Sequence, residues 1–296
     1  MLVRKIECLQ GGPAVSVNLL AQTAIGGVLL GGIYGLLALG LSMSWGLLRL
    51  VNLSHFALAF LSAYLTYHLG TRFGIPPWLA MLGIVPLFFA IGLAMHAVFV
   101  RFKVTEFASM LVTFGVTVLI ESVIQMVWSA DFRKFETPYA LETLRAGSVF
   151  IPVLELLAFA CAAILALAAW LALHRTMLGR ALRAAAHDGP IAAAFGINAV
   201  RLSYLLAGCC SAMAGLAGIF IALTSTLAPS QIEAWIGVVF AVVIIGGLAN
   251  PVGALGAGVL IGVSEALTMA VVNPAWAPLV AFSILIVLLL WKPRWL

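Results

Sequence analysis

The residues best suited to chemistry in this chain are polar side chains set within long apolar runs. Asn52, Ser54 and His55 interrupt one run, and Glu121 and Gln125 lie four positions apart in another. In apolar surroundings an imidazole or carboxyl can bind a proton or a cation, and amides and hydroxyls can line a polar path. The four-residue spacing puts Glu121 and Gln125 on one helical face. Two roles therefore stay open for Glu121, an interhelical hydrogen bond or a position on such a path.

Catalysis by the chain itself is not supported by its motifs. Ser211 is not part of a Gly-x-Ser-x-Gly motif, and the His-Glu-x-x-His motif of zinc proteases is absent. The chain also has no Walker A motif, so it is not expected to bind ATP through a P-loop. Neither a disulfide framework nor a metal site is suggested, because no Cys-x-x-Cys spacing occurs among Cys8, Cys161, Cys209 and Cys210. We expect no enzyme activity and no cofactor on this chain.

Composition indicates the solvent in which the chain folds. Of its 296 residues 64% are hydrophobic and 8% are charged, and the mean hydropathy is +1.19. A soluble domain has about 25% charged residues, so this chain lacks the polar residues to cover a soluble surface. It is therefore expected to lie in a membrane. The net charge of +5 then reflects basic cytoplasmic loops rather than a nucleic-acid partner.

The apolar runs predict an all-α, polytopic membrane protein with eight or nine spans in one domain, residues 1–296. They do not alternate in the manner of barrel strands. We place them at about 16–48, 53–70, 77–100, 106–129, 151–173, 201–224, 234–249, 253–272 and 275–291. The first run is too long for one straight span, so it is either tilted or broken at the pairs Gly26–Gly27 and Gly31–Gly32. Residues 49–55 form either a cytoplasmic turn or a break at membrane depth.

Loop charges predict the orientation of these spans. The segment 174–201 carries four arginines and one acid, which places the loop at about 174–200 in the cytoplasm. Alternation of the spans then puts residues 101–105 and the C-terminus on the cytoplasmic side. The balanced loop at about 130–150 falls outside.

Glycines recur at four-residue spacing in two of the runs. Gly27, Gly31 and Gly35 form overlapping GxxxG motifs, and Gly258 and Gly262 form another. The absence of a Cβ lets helix backbones approach closely in lipid. We favour helix packing within the chain, with a dimer seam as the alternative.

The cytoplasmic loop contains the local signals of a short helix. Asp188 can cap the helix start, Pro190 fits the first turn, and Gly196 fits the left-handed position just past the end. Ile191 and Phe195 share one face. So short a helix must pack on something, either this chain's own surface and lipid headgroups or a groove on a soluble partner.

Three stretches, in order, resemble the permease subunits of ABC importers, most closely the branched-chain amino acid uptake family. They are Tyr34-Gly-Leu-Leu-Ala-Leu-Gly40 with Gly46 and Asn52-Leu-Ser-His55; Arg183-Ala-x-Ala-x-Asp188-x3-Ala192-x3-Gly196-Ile197; and Val243-Ile-Ile-Gly-Gly247-x3-Pro251-x-Gly253-Ala254-x3-Gly258. The resemblance extends over about residues 18–291. The chain departs from the family pattern at His187, at Gly189-Pro190 and at Phe56-Ala57.

The resemblance implies a set of partners and a division of labour. A second, homologous permease would complete the path, two ATPases would bind ATP and Mg²⁺ below, and a periplasmic or lipid-anchored binding protein would deliver substrate. The location would be the bacterial inner membrane. The short cytoplasmic helix would be the coupling helix, with ATPase contacts at Arg183, Ala186, His187, Asp188, Ile191, Ala192, Phe195 and Gly196.

The translocation path is predicted to include Asn52, Ser54, His55, Glu121 and Gln125. For Asn52 and His55 the alternative is that they lock the break in the chain. The substrate implied is a branched-chain or other apolar amino acid, while related systems carry urea, amides or aromatic acids. The alternative from another class is a self-contained secondary transporter or channel with Glu121 or His55 as its ion-coupling group.

Overall fold

The computed structural model describes residues 17–146, 149–271 and 276–291. In these residues the helices are α1 (Val17–Leu48), α2 (Ser54–Phe73), α3 (Pro77–Arg101), α4 (Glu106–Trp128), α5 (Val153–Arg175), α6 (Met177–His187), α7 (Gly189–Ala194), α8 (Ala199–Thr224), α9 (Gln231–Gly246), α10 (Pro251–Val271) and α11 (Ala277–Trp291). Cys8 and the C-terminal residues 292–296, whose side was predicted from charge, lie outside the described residues.

Six of the described helices are long and apolar enough to cross a membrane: α1, α3, α4, α5, α8 and α10. The helices α9 and α11 are apolar but shorter, and α2 is more polar. Each apolar run read from the sequence coincides with one of these nine helices to within a few residues. The polytopic helical fold is thus confirmed, while the count of eight or nine spans stays a prediction.

The first apolar run is one continuous helix, so of the two alternatives, a tilted helix or a break at the glycine pairs, the break is wrong. These glycines instead bring α1 and α10 into backbone contact. A Cβ on Gly31 would lie 2.5 Å from the carbonyl oxygen of Gly258, and a Cβ on Gly262 would lie 2.6 Å from the Gly31 nitrogen. The GxxxG motifs therefore pack within one chain, as favoured, and are not free to form a dimer seam.

Burial divides the bundle into a centre and a periphery. The apolar windows of α1 and α8 are mostly buried, and α2 packs between α8 and α4. The largest core side chains of α1 and α2 are among the most buried of the bundle and include Leu36, Phe56, Phe60 and Tyr64. In contrast α3, α4 and α5 expose most of their surface.

A small β-hairpin interrupts the all-α pattern in the predicted external loop. Strand β1 (Thr143–Ala146) pairs antiparallel with β2 (Val149–Pro152). The side-chain amide of Gln22 fixes this hairpin to α1, because it donates to the Phe150 carbonyl at 2.7 Å and accepts from the Phe150 N–H at 2.9 Å. The strands are too short for a sequence pattern to reveal, and a long-range contact stabilises them.

The loops group at two opposite ends of the bundle. Leu47, Lys103, Leu182 and Ala199 line one cavity, so the segments after α1 and α3 lie at the same end as α6. At the other end, Trp78 contacts Tyr139, with 4.9 Å between ring centroids. Residues 101–105 and 174–200 thus share an end opposite residues 130–150, as the charge analysis requires. Which side of the membrane each end faces stays a prediction.

Candidate functional site

The predicted cytoplasmic loop forms two helices that fold back under the bundle. The turn from α5 to α6 is closed by Thr176, whose hydroxyl oxygen accepts the Gly179 N–H at 3.0 Å. Gly179 lies directly against the last turn of α5, where the backbone of Leu173 leaves no space for a Cβ. The inner face of α6, with Leu182 and Ala186, packs toward the end of α1. This close contact fixes α6 to the transmembrane helices.

The helix α7 has the ends that its sequence predicts. The Asp188 carboxylate accepts the Ile191 N–H at 3.1 Å, Pro190 lies in the first turn, and Gly196 has φ +79°. The helix of six residues is a little under two turns. These local predictions are confirmed, and the role of α7 in coupling stays a prediction.

The side chains of α7 divide into an inner and an outer set. Ala192 is buried against its own chain, whereas Ile191 is 57% exposed and Phe195 is 83% exposed. The helix α7 therefore packs on its own chain through alanine, with Ile191 and the following Phe195 exposed. Insertion into a groove of a partner stays a prediction. Ala186 is half-buried, and Arg183, His187, Asp188 and Gly196 are exposed.

Beside the contact of α6 with α1, a cavity of about 350 Å³ is lined by residues of α6 and of the ends of α1 and α3. Its walls are mostly apolar, with Lys103, His96 and Ser203 as polar groups. His96 Nε2 lies 2.7 Å from Ser203 Oγ, which joins α3 to α8 beside the cavity. The helix α6 and the first turn of α8, which precede and follow α7 along the chain, thus border open space.

The break between α1 and α2 is covered by protein. Arg49 has φ 53°, and Val51 is buried. The Thr113 hydroxyl of α4 accepts the Leu53 N–H at 3.0 Å and lies 3.3 Å from the Val51 carbonyl oxygen. The hydroxyls of α4 therefore satisfy the irregular backbone, which apolar surroundings require.

The three polar residues at this break form a local structural group. Ser54 donates to the Asn52 side-chain oxygen at 2.6 Å. His55 is 1% exposed, with Nε2 3.1 Å from the Leu37 carbonyl oxygen and its ring against Gly40. Of the two roles considered for Asn52 and His55, locking the break fits this geometry. Asn52 also borders a small cavity of about 20 Å³ beneath His96.

Glu121 and Gln125 lie apart from that group. The Gln125 amide donates to the Glu121 carboxyl at 3.1 Å, at the edge of the α4 face that packs on α2, where Glu121 is half-buried and Gln125 is exposed. Glu121 lies eight residues beyond Thr113, which is about 12 Å of helix rise. The structure therefore does not bring the five predicted path residues together. Their role in translocation stays a prediction.

The sequence marks Glu265 as a polar residue in an apolar run with a packing role, but it does not reveal its partner. The Tyr34 hydroxyl of α1 donates at 2.8 Å to Glu265, which is buried on α10. Half-buried Trp45 and Phe240 contact each other, with 5.7 Å between ring centroids, and the Trp45 indole donates to Glu106 at 3.3 Å. One available signal was the spacing of Ser109, Thr113 and Thr117, which marks a polar row on α4 that faces α2.

The third stretch that resembles the permease family, residues 243–258, includes the turn by which the chain reverses direction between α9 and α10. Gly247 has φ 87°, its carbonyl accepts from Ser42 at 3.0 Å, and the Ala249 N–H donates to the Ser42 carbonyl at 3.1 Å. Asn250 caps α10 by accepting the Gly253 N–H at 3.1 Å. The glycines are required because this turn packs directly on α1 beside Gly46.

The comparisons with known proteins agree on one family. The model of the branched-chain amino acid transport system permease component matches residues 23–289. The chain is 24% identical to the high-affinity branched-chain amino acid transport system permease protein BraD of Pseudomonas aeruginosa, over 92% of this chain and 94% of that protein. The Escherichia coli permease LivH of the same description is also 24% identical, over 92% and 93%.

An archaeal protein extends this similarity. The probable branched-chain amino acid transport permease LivH of Methanocaldococcus jannaschii is 26% identical, over 82% of this chain and 79% of that protein. None of the solved structures matches the chain.

Proposed function

The chain belongs to the family of branched-chain amino acid transport permease components, and from that premise we propose that it is the membrane permease of an ATP-driven importer. It forms half of the translocation path, and a second, homologous permease forms the other half. Two ATPase subunits supply the free energy, and a binding protein delivers the substrate from the opposite side. The membrane is the bacterial inner membrane, with residues 174–200 and the C-terminus in the cytoplasm.

The substrate class proposed is a branched-chain or other small apolar amino acid. The relatives support it, since BraD and LivH are branched-chain amino acid transport permeases. The large apolar fraction of the chain agrees with a path for an apolar side chain. Selection among such substrates is assigned to the binding protein.

The observation that carries the proposal is the exposed apolar pair of Ile191 on α7 and Phe195 at its C-cap. The two side chains lie four residues apart on a segment that is anchored by buried Ala192. Exposed apolar side chains on a fixed short helix suit insertion into a groove of a soluble partner. The attachment of α7 to α6, and of α6 to α5 through Gly179, gives the partner a rigid connection to the transmembrane helices.

The test is co-purification of the tagged permease from its native membrane in a gentle detergent. We expect Phe195→Asp to reduce the recovered ATPase at least tenfold, because a carboxylate would enter an apolar groove. Leucine uptake by the same cells should fall in parallel. Phe132→Asp is the matched control, since Phe132 is 73% exposed at the opposite end of the bundle.

The double variant Ile191→Asp with Phe195→Asp is the stronger test of the coupling role of α7. Full recovery of the ATPase with that variant would overturn the coupling role of α7. Loss of the ATPase from the Phe132→Asp control as well would show general misfolding rather than a specific contact.

A further inference from the structure

A cavity of about 490 Å³ lies between α1, α5, α8 and α10, at the end of the bundle that carries the β-hairpin. It extends from Ser225, just past the end of α8, to buried Ile33 on α1. Thr23 and Ile33, the outermost and innermost lining residues of α1, are about 15 Å apart along the helix. Its volume is within the range of about 300–1,000 Å³ that small-molecule sites occupy. The residues predicted from the sequence to form the path do not line it.

Three polar side chains without hydrogen-bond partners line this cavity. They are Thr23 on α1, Glu155 in the first turn of α5 and Ser225, and all three are half-buried. None of them forms a hydrogen bond or an ion pair with another described residue through its side chain. A partly buried carboxylate or hydroxyl loses hydration, which is costly when no protein group replaces the water. The three groups are therefore suited to a ligand that supplies their partners.

Most of the other residues that line the cavity are apolar. Leu30 and Ile33 on α1 face Ala266 and Met269 on α10 across it. Gly26 leaves further space, since a Cβ there would meet no atom within 4 Å. Small-molecule sites are typically apolar with a few placed polar groups that fix the orientation of the ligand. One acid, two hydroxyls and this apolar surface are the groups that a small zwitterion with an apolar side chain requires.

We propose that this cavity binds the α-amino acid substrate as it enters the permease, with the Glu155 carboxylate accepting hydrogen bonds from the α-ammonium group. This inference rests on the proposed function, which delivers the substrate from this end of the bundle. The hydroxyls of Thr23 and Ser225 donate to the α-carboxylate, and the apolar side chain of the substrate packs against Leu30 and Ile33. Hydrogen bonds between charged groups are roughly twice as strong as those between neutral groups, so Glu155 contributes most to binding.

Helix contacts at the inner end of the cavity hold the substrate there. A Cβ on Gly32 would lie 2.8 Å from the Phe159 Cα of α5, and a Cβ on Gly31 would lie 2.5 Å from the Val259 Cα of α10. At the level of Ile33, α1 therefore leaves no space toward either neighbour. Movement of the substrate beyond this level requires α1 to separate from α5 or α10, a step that the ATPases would drive.

Photolabelling of the purified permease–ATPase complex with a diazirine analogue of leucine tests the site. We expect label on the lining residues of α1 or α10, identified by mass spectrometry and displaced by excess leucine. Glu155→Gln should lower this labelling about tenfold, because a hydrogen bond between charged groups is lost. Glu136→Gln is the matched control, since Glu136 is an exposed acid at the same end that does not line the cavity.

A second competitor separates binding by Glu155 from a merely structural role. The compound 4-methylpentanoate is leucine without its ammonium group. It should compete about tenfold more weakly than leucine for the wild-type site, because it offers Glu155 no donor. In Glu155→Gln the two competitors should become nearly equal, whereas a structural role would leave their ratio unchanged.

Two results would overturn the inference. One is label confined to residues outside the cavity, and the other is equal labelling of the wild-type complex and Glu155→Gln. Both can occur while the ATPase co-purifies and the cells take up leucine, so they leave the proposed function intact. Absence of the ATPase from the wild-type complex would instead count against the proposed function.

A steric variant tests the cavity without changing its charge. Gly26→Phe places a ring in the open space beside Gly26, so leucine uptake should fall severalfold while the ATPase stays bound. Gly83→Phe is the matched control, because Gly83 lies in the same half of the bundle on α3, is exposed, and also has no atom within 4 Å of an added Cβ. Uptake by Gly26→Phe equal to that of Gly83→Phe would contradict passage through this cavity.

Discussion

The Thr113 hydroxyl shows how single side chains make an irregular backbone possible in this bundle. It accepts the N–H of Leu53 at 3.0 Å and lies 3.3 Å from the carbonyl oxygen of Val51, in a fully buried position. Water is absent from such a position, so a buried N–H without a partner would bear its full desolvation cost. The break between α1 and α2 therefore depends on a hydroxyl from α4.

Replacing Thr113 by valine tests that dependence. Thr113→Val keeps the side-chain shape and leaves the Leu53 N–H unpaired, so we expect the free energy of unfolding to fall by about 1–3 kcal/mol. The measurement is the unfolding transition of purified protein in detergent. Thr117→Val is the control, because the Thr117 hydroxyl donates only within its own helix, to the Thr113 carbonyl. Equal losses in the two variants would refute the special role of Thr113.

Helix pairs in the bundle are distinguished by how closely their backbones approach. The contact of α1 with α10 is the most extensive in the described chain, and glycines from both helices form it. In lipid the hydrophobic effect does not drive helices together, so van der Waals packing of this kind provides much of the association. The same contact positions the α9–α10 reversal against Ser42.

The variant Gly31→Ala should disturb this pair of helices. Its Cβ would lie 2.5 Å from backbone atoms of Gly258 and Val259, which can yield only if the helices separate. We expect a lower unfolding temperature and a reduced yield of folded protein, from a loss of about 1–3 kcal/mol. Gly26→Ala is the matched control on the same helix, because a Cβ there meets nothing within 4 Å. Should both variants unfold alike, tight packing at Gly31 would not be the cause.

The whole molecule has two distinct ends. One end presents α6, α7 and an arginine-rich surface. The other end presents the β-hairpin, which is hydrogen-bonded to Gln22. An importer needs this polarity, since the ATPase and the delivered substrate approach from opposite sides of the membrane. The exposed side chains Phe195 and Phe132 mark the two ends.

Labelling of cysteine variants in intact spheroplasts tests the orientation. In a background without native cysteines, a membrane-impermeant maleimide should label Phe132→Cys and not Phe195→Cys. After solubilisation in detergent and removal of the ATPase, both variants should be labelled, which shows that both thiols are accessible. The reverse pattern in spheroplasts would invert the assigned orientation.

The sequence alone determined the properties that depend on composition and on neighbours along the chain. The low charge content required a membrane, the apolar runs located the helices, and Asp188, Pro190 and Gly196 defined the ends of α7. These signals act over a few residues, so they do not need the fold. The family motifs likewise appear in contiguous stretches.

Only the tertiary structure decided which faces meet. It buried His55 against Leu37 and left Glu121 half-buried beside exposed Gln125. It also paired the α1 glycines with α10 and formed the hairpin. The physical reason is that helices in lipid are apolar on every side, so periodicity does not separate inner from outer faces as it does in soluble proteins. Helix rotation and neighbour choice follow from packing between residues far apart in sequence.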